Sequence, residues 1–125
     1  MPVWAAAGLD AALVLVFAAV GRASHLGHLP LAGDQGSPVL GVLSTAWPFL
    51  VGAAVGWALV WVRSHRWPTS VGPGIPVVVC AVVVGMLLRA VTGAGTALPF
   101  ILVATVVLAV LLLGWRAVAA WLSTR

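Results

Sequence analysis

ALPFILVATVVLAVLLLGWRAVAAW, residues 97–121, is a run of 25 residues that carries one charge, Arg116, and no acidic group. It exceeds the ~20 residues a helix needs to cross the hydrocarbon core of a bilayer. Valine is abundant in it and usually favours strands. A run this long, unbroken and without dyad alternation nevertheless predicts a helix rather than a barrel strand. Three more apolar stretches precede it, at about residues 2–21, 39–62 and 73–89. Glycine, proline, serine, threonine and charge collect between them, at 22–38, 63–72 and 90–96. The expected fold is an all-α integral membrane protein of four transmembrane helices in a single domain, residues 1–125.

Composition agrees. Hydrophobic residues make up 63% of the chain and charged residues 6%, against roughly 25% charged in soluble domains. Mean hydropathy is +1.21, and such a chain could not cover a soluble surface. Lysine and glutamate are absent, so six arginines and two aspartates, with three histidines, are the whole charge inventory. The isoelectric point near 11.7 reports a few arginines in an apolar chain. The basic stripe of a nucleic-acid binder is missing, and no nucleic-acid partner is expected. Cys80 is the single cysteine, which rules out an internal disulfide and a paired-cysteine metal site. The first stretch has no basic residue ahead of it and holds Asp10, a poor match to a signal peptide, so it is expected to be retained.

Two pentapeptides nearly coincide: TAWPF at 45–49 and TALPF at 96–100. Each is preceded by an arginine (Arg22, Arg89) and followed by Gly-Trp (Gly56-Trp57, Gly114-Trp115) and then another arginine (Arg63, Arg116). Thr45 to Arg63 is 18 positions and Thr96 to Arg116 is 20, which at ~1.5 Å per residue is ~27–30 Å, one hydrocarbon thickness. The sequence therefore predicts two similar helical hairpins in tandem, each pentapeptide opening a crossing that an arginine closes. A threonine can cap a helix start, and proline three positions on falls where a missing amide hydrogen costs little. A second reading is that Thr45, Trp47, Pro48 and Thr96 also line a polar site. Apolar residues 39–43 precede Thr45, so Pro48 could instead be a kink inside a longer helix.

Copies related in this way share one orientation, with an axis along the membrane normal. Arg22 and Arg89 then lie at one face, and Arg63, Arg66, Arg116 and Arg125 at the other. The arginine bias places the termini in the cytoplasm.

Few residues offer chemistry. Asp10 sits inside a spanning segment, where a carboxylate costs ~2.5–3.5 kcal/mol on insertion scales. It reads as half of a buried clasp with Arg116 or Arg63, as a proton-coupling group, or as a residue simply near the membrane interface. Arg22 and Arg89 either snorkel to headgroups or, facing two helix starts, form an anion site. His25 and His28 are three apart with Asp34 nearby, a weak metal pattern given Gly27 and Pro30, and no metal is assigned. Proton or anion contact by His25 and an ordinary wet loop are the other readings. Gly52 and Gly56 form a small-xxx-small face suited to packing, and Trp4, Trp67 and Trp121 suit interfacial anchoring. No phosphate loop, nucleophile elbow or carboxylate pair occurs, so no enzyme activity, catalytic residue or cofactor is expected.

The strings GRASH at 21–25, TAWPF at 45–49, Gly52, Gly56-Trp57, Leu88-Arg89 and GWR at 114–116, with Asp10, resemble an uncharacterised prokaryotic membrane-protein family, domain of unknown function 3054. The resemblance covers nearly the whole chain. It implies a stand-alone four-helix protein of a bacterial or archaeal inner membrane and supplies no activity. Two functional classes follow from the residues. One is a small transporter or channel-like protein for a polar or anionic ligand, bound through Arg22 and Arg89 with Asp10 as a buried switch. The other is a non-transporting scaffold or lipid-binding partner subunit. Membrane lipids are partners in either case, a small anionic ligand belongs to the first, and a homodimer is one option for assembly.

Overall fold

The computed structural model describes residues 2–26, 38–93 and 98–124, with side chains at 2–21, 40–93 and 98–124. Among the described residues the chain forms four α-helices and no strand: α1 Val3–Leu26, α2 Pro38–Ser64, α3 Val71–Val91 and α4 Leu98–Ser123. Their 21 to 27 residues give lengths of about 31–40 Å, enough to cross a bilayer. All four are also apolar enough to do so.

Local sequence accounts for most of the helix ends. Pro38 is the first residue of α2, a position where its missing amide hydrogen is not needed. After Ser64 the chain turns at His65, which takes the left-handed conformation (φ 55°) while its amide donates to the Trp61 carbonyl at 2.7 Å. At the end of α3, the Thr92 hydroxyl donates to the Leu88 carbonyl at 2.8 Å, and Gly93 then enters positive φ (76°). In α1 the expected stop at residue 21 is overrun by five residues, to Leu26. An isolated glycine lowers helix propensity by only about 1 kcal/mol, and the next proline is Pro30.

In α2 the helix spans the expected 39–62 and slightly more, but the pentapeptide does not open it. TAWPF lies two turns inside, because Pro38 and the apolar residues after it begin the helix earlier. Thr45 therefore caps nothing, and its hydroxyl donates back to the Gly41 carbonyl at 3.2 Å. Pro48 stands inside the helix and is fully buried. Pro99, by contrast, is the second residue of α4 and fits a first turn.

Packing is most extensive between α2 and α3. A Cβ on Gly52 would lie 2.6 Å from the Cys80 carbonyl oxygen, and one on Gly56 2.7 Å from the Val77 Cα. The two backbones thus touch, and the expected glycine face is this seam. Toward the end of the bundle where α1 finishes and α2 begins, the core is aromatic. Phe17 meets Phe49 edge-on at 5.1 Å, and Phe100 lies 6.2 and 6.1 Å from the two. Phe49 seats on Gly85, whose absent side chain leaves room for the ring. Phe49 and Phe100, the last residues of the two pentapeptides, thus lie in one cluster. Val14, Ala53, Val77, Leu108 and Leu112 continue the buried core toward the opposite end.

Candidate functional site

At that opposite end α1, α2 and α4 converge on one carboxylate. Asp10, Trp57 and Arg116 each stand seven residues from the ends Val3, Ser64 and Ser123 of their helices, a common depth of about 10 Å. Asp10 is 2% exposed and Arg116 1%. Their guanidinium–carboxylate contact is a two-pronged fork: Nη1 donates to Oδ1 at 2.9 Å and Nη2 to Oδ2 at 2.7 Å. The two Gly-Trp tryptophans complete the carboxylate. Trp57 Nε1 donates to Oδ2 at 2.9 Å and Trp115 Nε1 to Oδ1 at 2.7 Å, so each oxygen accepts two bonds.

Arg116 is equally occupied. Its Nε and Nη2 also donate to the Pro68 carbonyl at 3.1 and 2.7 Å, and its Nη1 donates to the Leu112 carbonyl at 2.8 Å. All five N–H donors of the guanidinium are thereby used. The guanidinium carbon also lies 4.6 Å from the Trp115 ring centroid. Gly74 of α3 makes this route possible, since a Cβ there would lie 2.6 Å from the Arg116 Cδ. Pro68 is itself fully buried in the α2–α3 turn, and Trp67 beside it stacks on Trp61 at 4.6 Å and 15°. One ion pair thus joins α1, α2, α4 and the turn, and threads past α3 at a glycine.

Of the two arginines named as the partner of Asp10, the structure pairs it with Arg116; Arg63 is exposed at the last turn of α2. The indole donors, the Pro68 carbonyl and the role of Gly74 were not anticipated. The one sequence signal for the indoles was the recurrence of Gly-Trp, each tryptophan at a depth matching that of Asp10.

The residues expected to bind a ligand are distributed as follows. Arg89 is half-buried with its guanidinium 4.3 Å from the Phe100 ring centroid, beside the second pentapeptide. Trp47 is exposed, Thr45 is half-buried and bonded to its own helix, and Pro48 is buried. Arg22 and His25 are on α1, but their side chains lie outside the described residues, as do His28, Asp34 and Thr96 entirely. Among the described residues no three histidine, cysteine or acidic side chains gather. An outward-facing groove of about 450 Å³ opens between α1 and α2, lined by Ala7, Ala11, Ala54, Ala58, Trp61 and Trp67, with Asp10 and Trp57 at its inner edge.

Four apolar spanning helices locked on a buried ion pair define a small all-α integral membrane protein. The family described as Protein of unknown function (DUF3054) matches residues 7–119, and the chain belongs to that family. No curated protein and no solved structure matches the chain.

Proposed function

We propose that the chain is a non-transporting, non-enzymatic membrane scaffold, a subunit that holds a fixed helical surface for a partner in the bilayer. The observation that carries this reading is the saturation of Asp10. Both of its oxygens are engaged by four donors, and every donor of Arg116 is engaged in turn. A switching carboxylate needs a second partner to move to, and here each candidate move would strand a buried charge. Asp10 and Arg116 are also the only buried polar or charged side chains among the described residues. The phenylalanine cluster stands between them and the far end. A polar stripe through facing helices, as transport would require, is not formed by these side chains.

The groove between α1 and α2 supports a partner. Ala7 and Ala11 on one helix, and Ala54 and Ala58 on the other, are small residues at four-residue spacing, the pattern by which membrane helices approach closely. A second copy of the chain is one surface that fits the description. The test is reconstitution into sealed vesicles carrying a pH-sensitive dye, with imposed proton and anion gradients. The scaffold reading expects leak no faster than from protein-free vesicles. A proton or anion flux that Asp10→Asn or Arg89→Gln abolishes in a folded protein overturns it in favour of transport.

A further inference from the structure

A second pocket, of about 340 Å³, lies between the end of α2 and the start of α3, lined by Leu59, Val60, Arg63, Ser64, Pro73 and Pro76. It is chemically two-layered. Leu59 and Arg63 are one helical turn apart, so the guanidinium stands above the isobutyl group on the same face of α2. Pro73 and Pro76 form the opposite wall with apolar rings that carry no amide hydrogen. The Ser64 hydroxyl is already committed to the Val60 carbonyl at 2.8 Å.

Charge decides what fits. Asp10 is the one carboxylate among the described side chains, and Arg116 occupies it. No described carboxylate therefore remains for Arg63 or for the nearby Arg66, both exposed. Arg63 is one residue from the end of α2, about 9 Å beyond the level of Asp10 and Trp57, which is where a helix of this length meets the headgroups. A cation at the headgroup level over an apolar cleft that descends toward the hydrocarbon matches one occupant in both layers. We propose that this cleft is a binding site for an anionic phospholipid, with the phosphate on Arg63 and one acyl chain against Leu59, Val60 and Pro76. The site does not depend on the absence of transport.

The test uses the full chain in nanodiscs of phosphatidylcholine, titrated with phosphatidylglycerol and read by native mass spectrometry of the released complex. The expected result is saturable retention of phosphatidylglycerol over phosphatidylcholine. Arg63→Gln should weaken it at least about five-fold, the effect of one arginine near an anionic lipid. Arg66→Gln, outside the cleft, should weaken it less. Leu59→Phe, which fills the cleft without touching charge, should weaken it as well. Equal retention of the two lipids, or an Arg63→Gln variant that binds as wild type does, overturns the proposal. So does an equal loss in Arg63→Gln and Arg66→Gln, which would mean diffuse surface attraction. Full competition by inorganic phosphate at matched concentration would mean a site for the phosphate alone, and would equally reject the lipid. A positive lipid result alongside flux in the vesicle assay would retain this site while removing the scaffold reading.

Discussion

Trp57 and Trp115, 58 positions apart, donate their indole N–H groups to the two oxygens of a single carboxylate, Asp10. Each follows a glycine, in Gly56-Trp57 and Gly114-Trp115. Phe49 and Phe100 thus meet α1 at Phe17, and Trp57 and Trp115 meet it at Asp10. Hydrogen bonds to a charged group are worth about 1.5–3 kcal/mol. Trp57→Phe and Trp115→Phe, which keep a ring and remove the donor, should each destabilise the protein by about that much. Reversible unfolding in mixed micelles measures it. Trp115→Phe should be the larger loss, because that ring also lies against the Arg116 guanidinium. A neutral Trp57→Phe would mean that the indole bond does not contribute to stability.

The glycines should separate into two groups on replacement by alanine. At Gly52 and Gly56 a Cβ would fall 2.6 and 2.7 Å from backbone atoms of α3 that cannot turn aside. These variants should lose about 1–3 kcal/mol, as overpacked cores do. Gly74→Ala should displace the Arg116 stem and weaken the clasp with it. At Gly8 a Cβ meets nothing within 4 Å, so Gly8→Ala should be neutral or stabilising by up to about 1 kcal/mol, the helix-propensity difference. Thermal midpoints of the four variants check the pattern. A Gly52→Ala protein as stable as wild type would contradict the seam.

Much of this architecture was legible because apolar length is a one-dimensional signal. The four runs became four helices, with α1 overrunning by five residues where Gly21 failed to stop it. Pro48 resembles a first-turn proline, but of the two readings TAWPF offers the structure takes the one that places it inside a longer helix. The apolar residues ahead of Thr45 carry the helix back to Pro38, and a membrane helix tolerates an internal proline. For Asp10 the sequence named two arginines. Choosing Arg116 needs the rotational setting of α4 and the empty side of Gly74, and neither is written in the spacing. The indole donors were hidden for a related reason. A tryptophan near a membrane surface reads as an anchor, and only the packed register turns its N–H inward.

The proposed orientation, this end toward the cytoplasm, follows from the arginine bias, with Arg63 and Arg66 at the end where α1 begins and α4 finishes. In a Cys80→Ala background, Gln35→Cys should react with a membrane-impermeant thiol reagent in intact cells. Ser70→Cys should react only after the membrane is opened. Reaction of Ser70→Cys alone in intact cells would invert the assignment.

Asp10 and Arg116 act as one structural unit that holds the helices together, and a double-mutant cycle reads that unit directly. Asp10→Leu and Arg116→Leu, each alone, leave an uncompensated charge in an apolar interior and should cost about 3–5 kcal/mol apiece. The double variant removes both charges and should cost far less than the sum of the two, because replacing a whole buried pair by apolar side chains is often close to neutral. Unfolding free energies of wild type, both single variants and the double variant, measured in one micelle composition, give the coupling. A coupling of several kcal/mol is the predicted result. Additive losses, or a single variant as stable as wild type, would contradict the clasp.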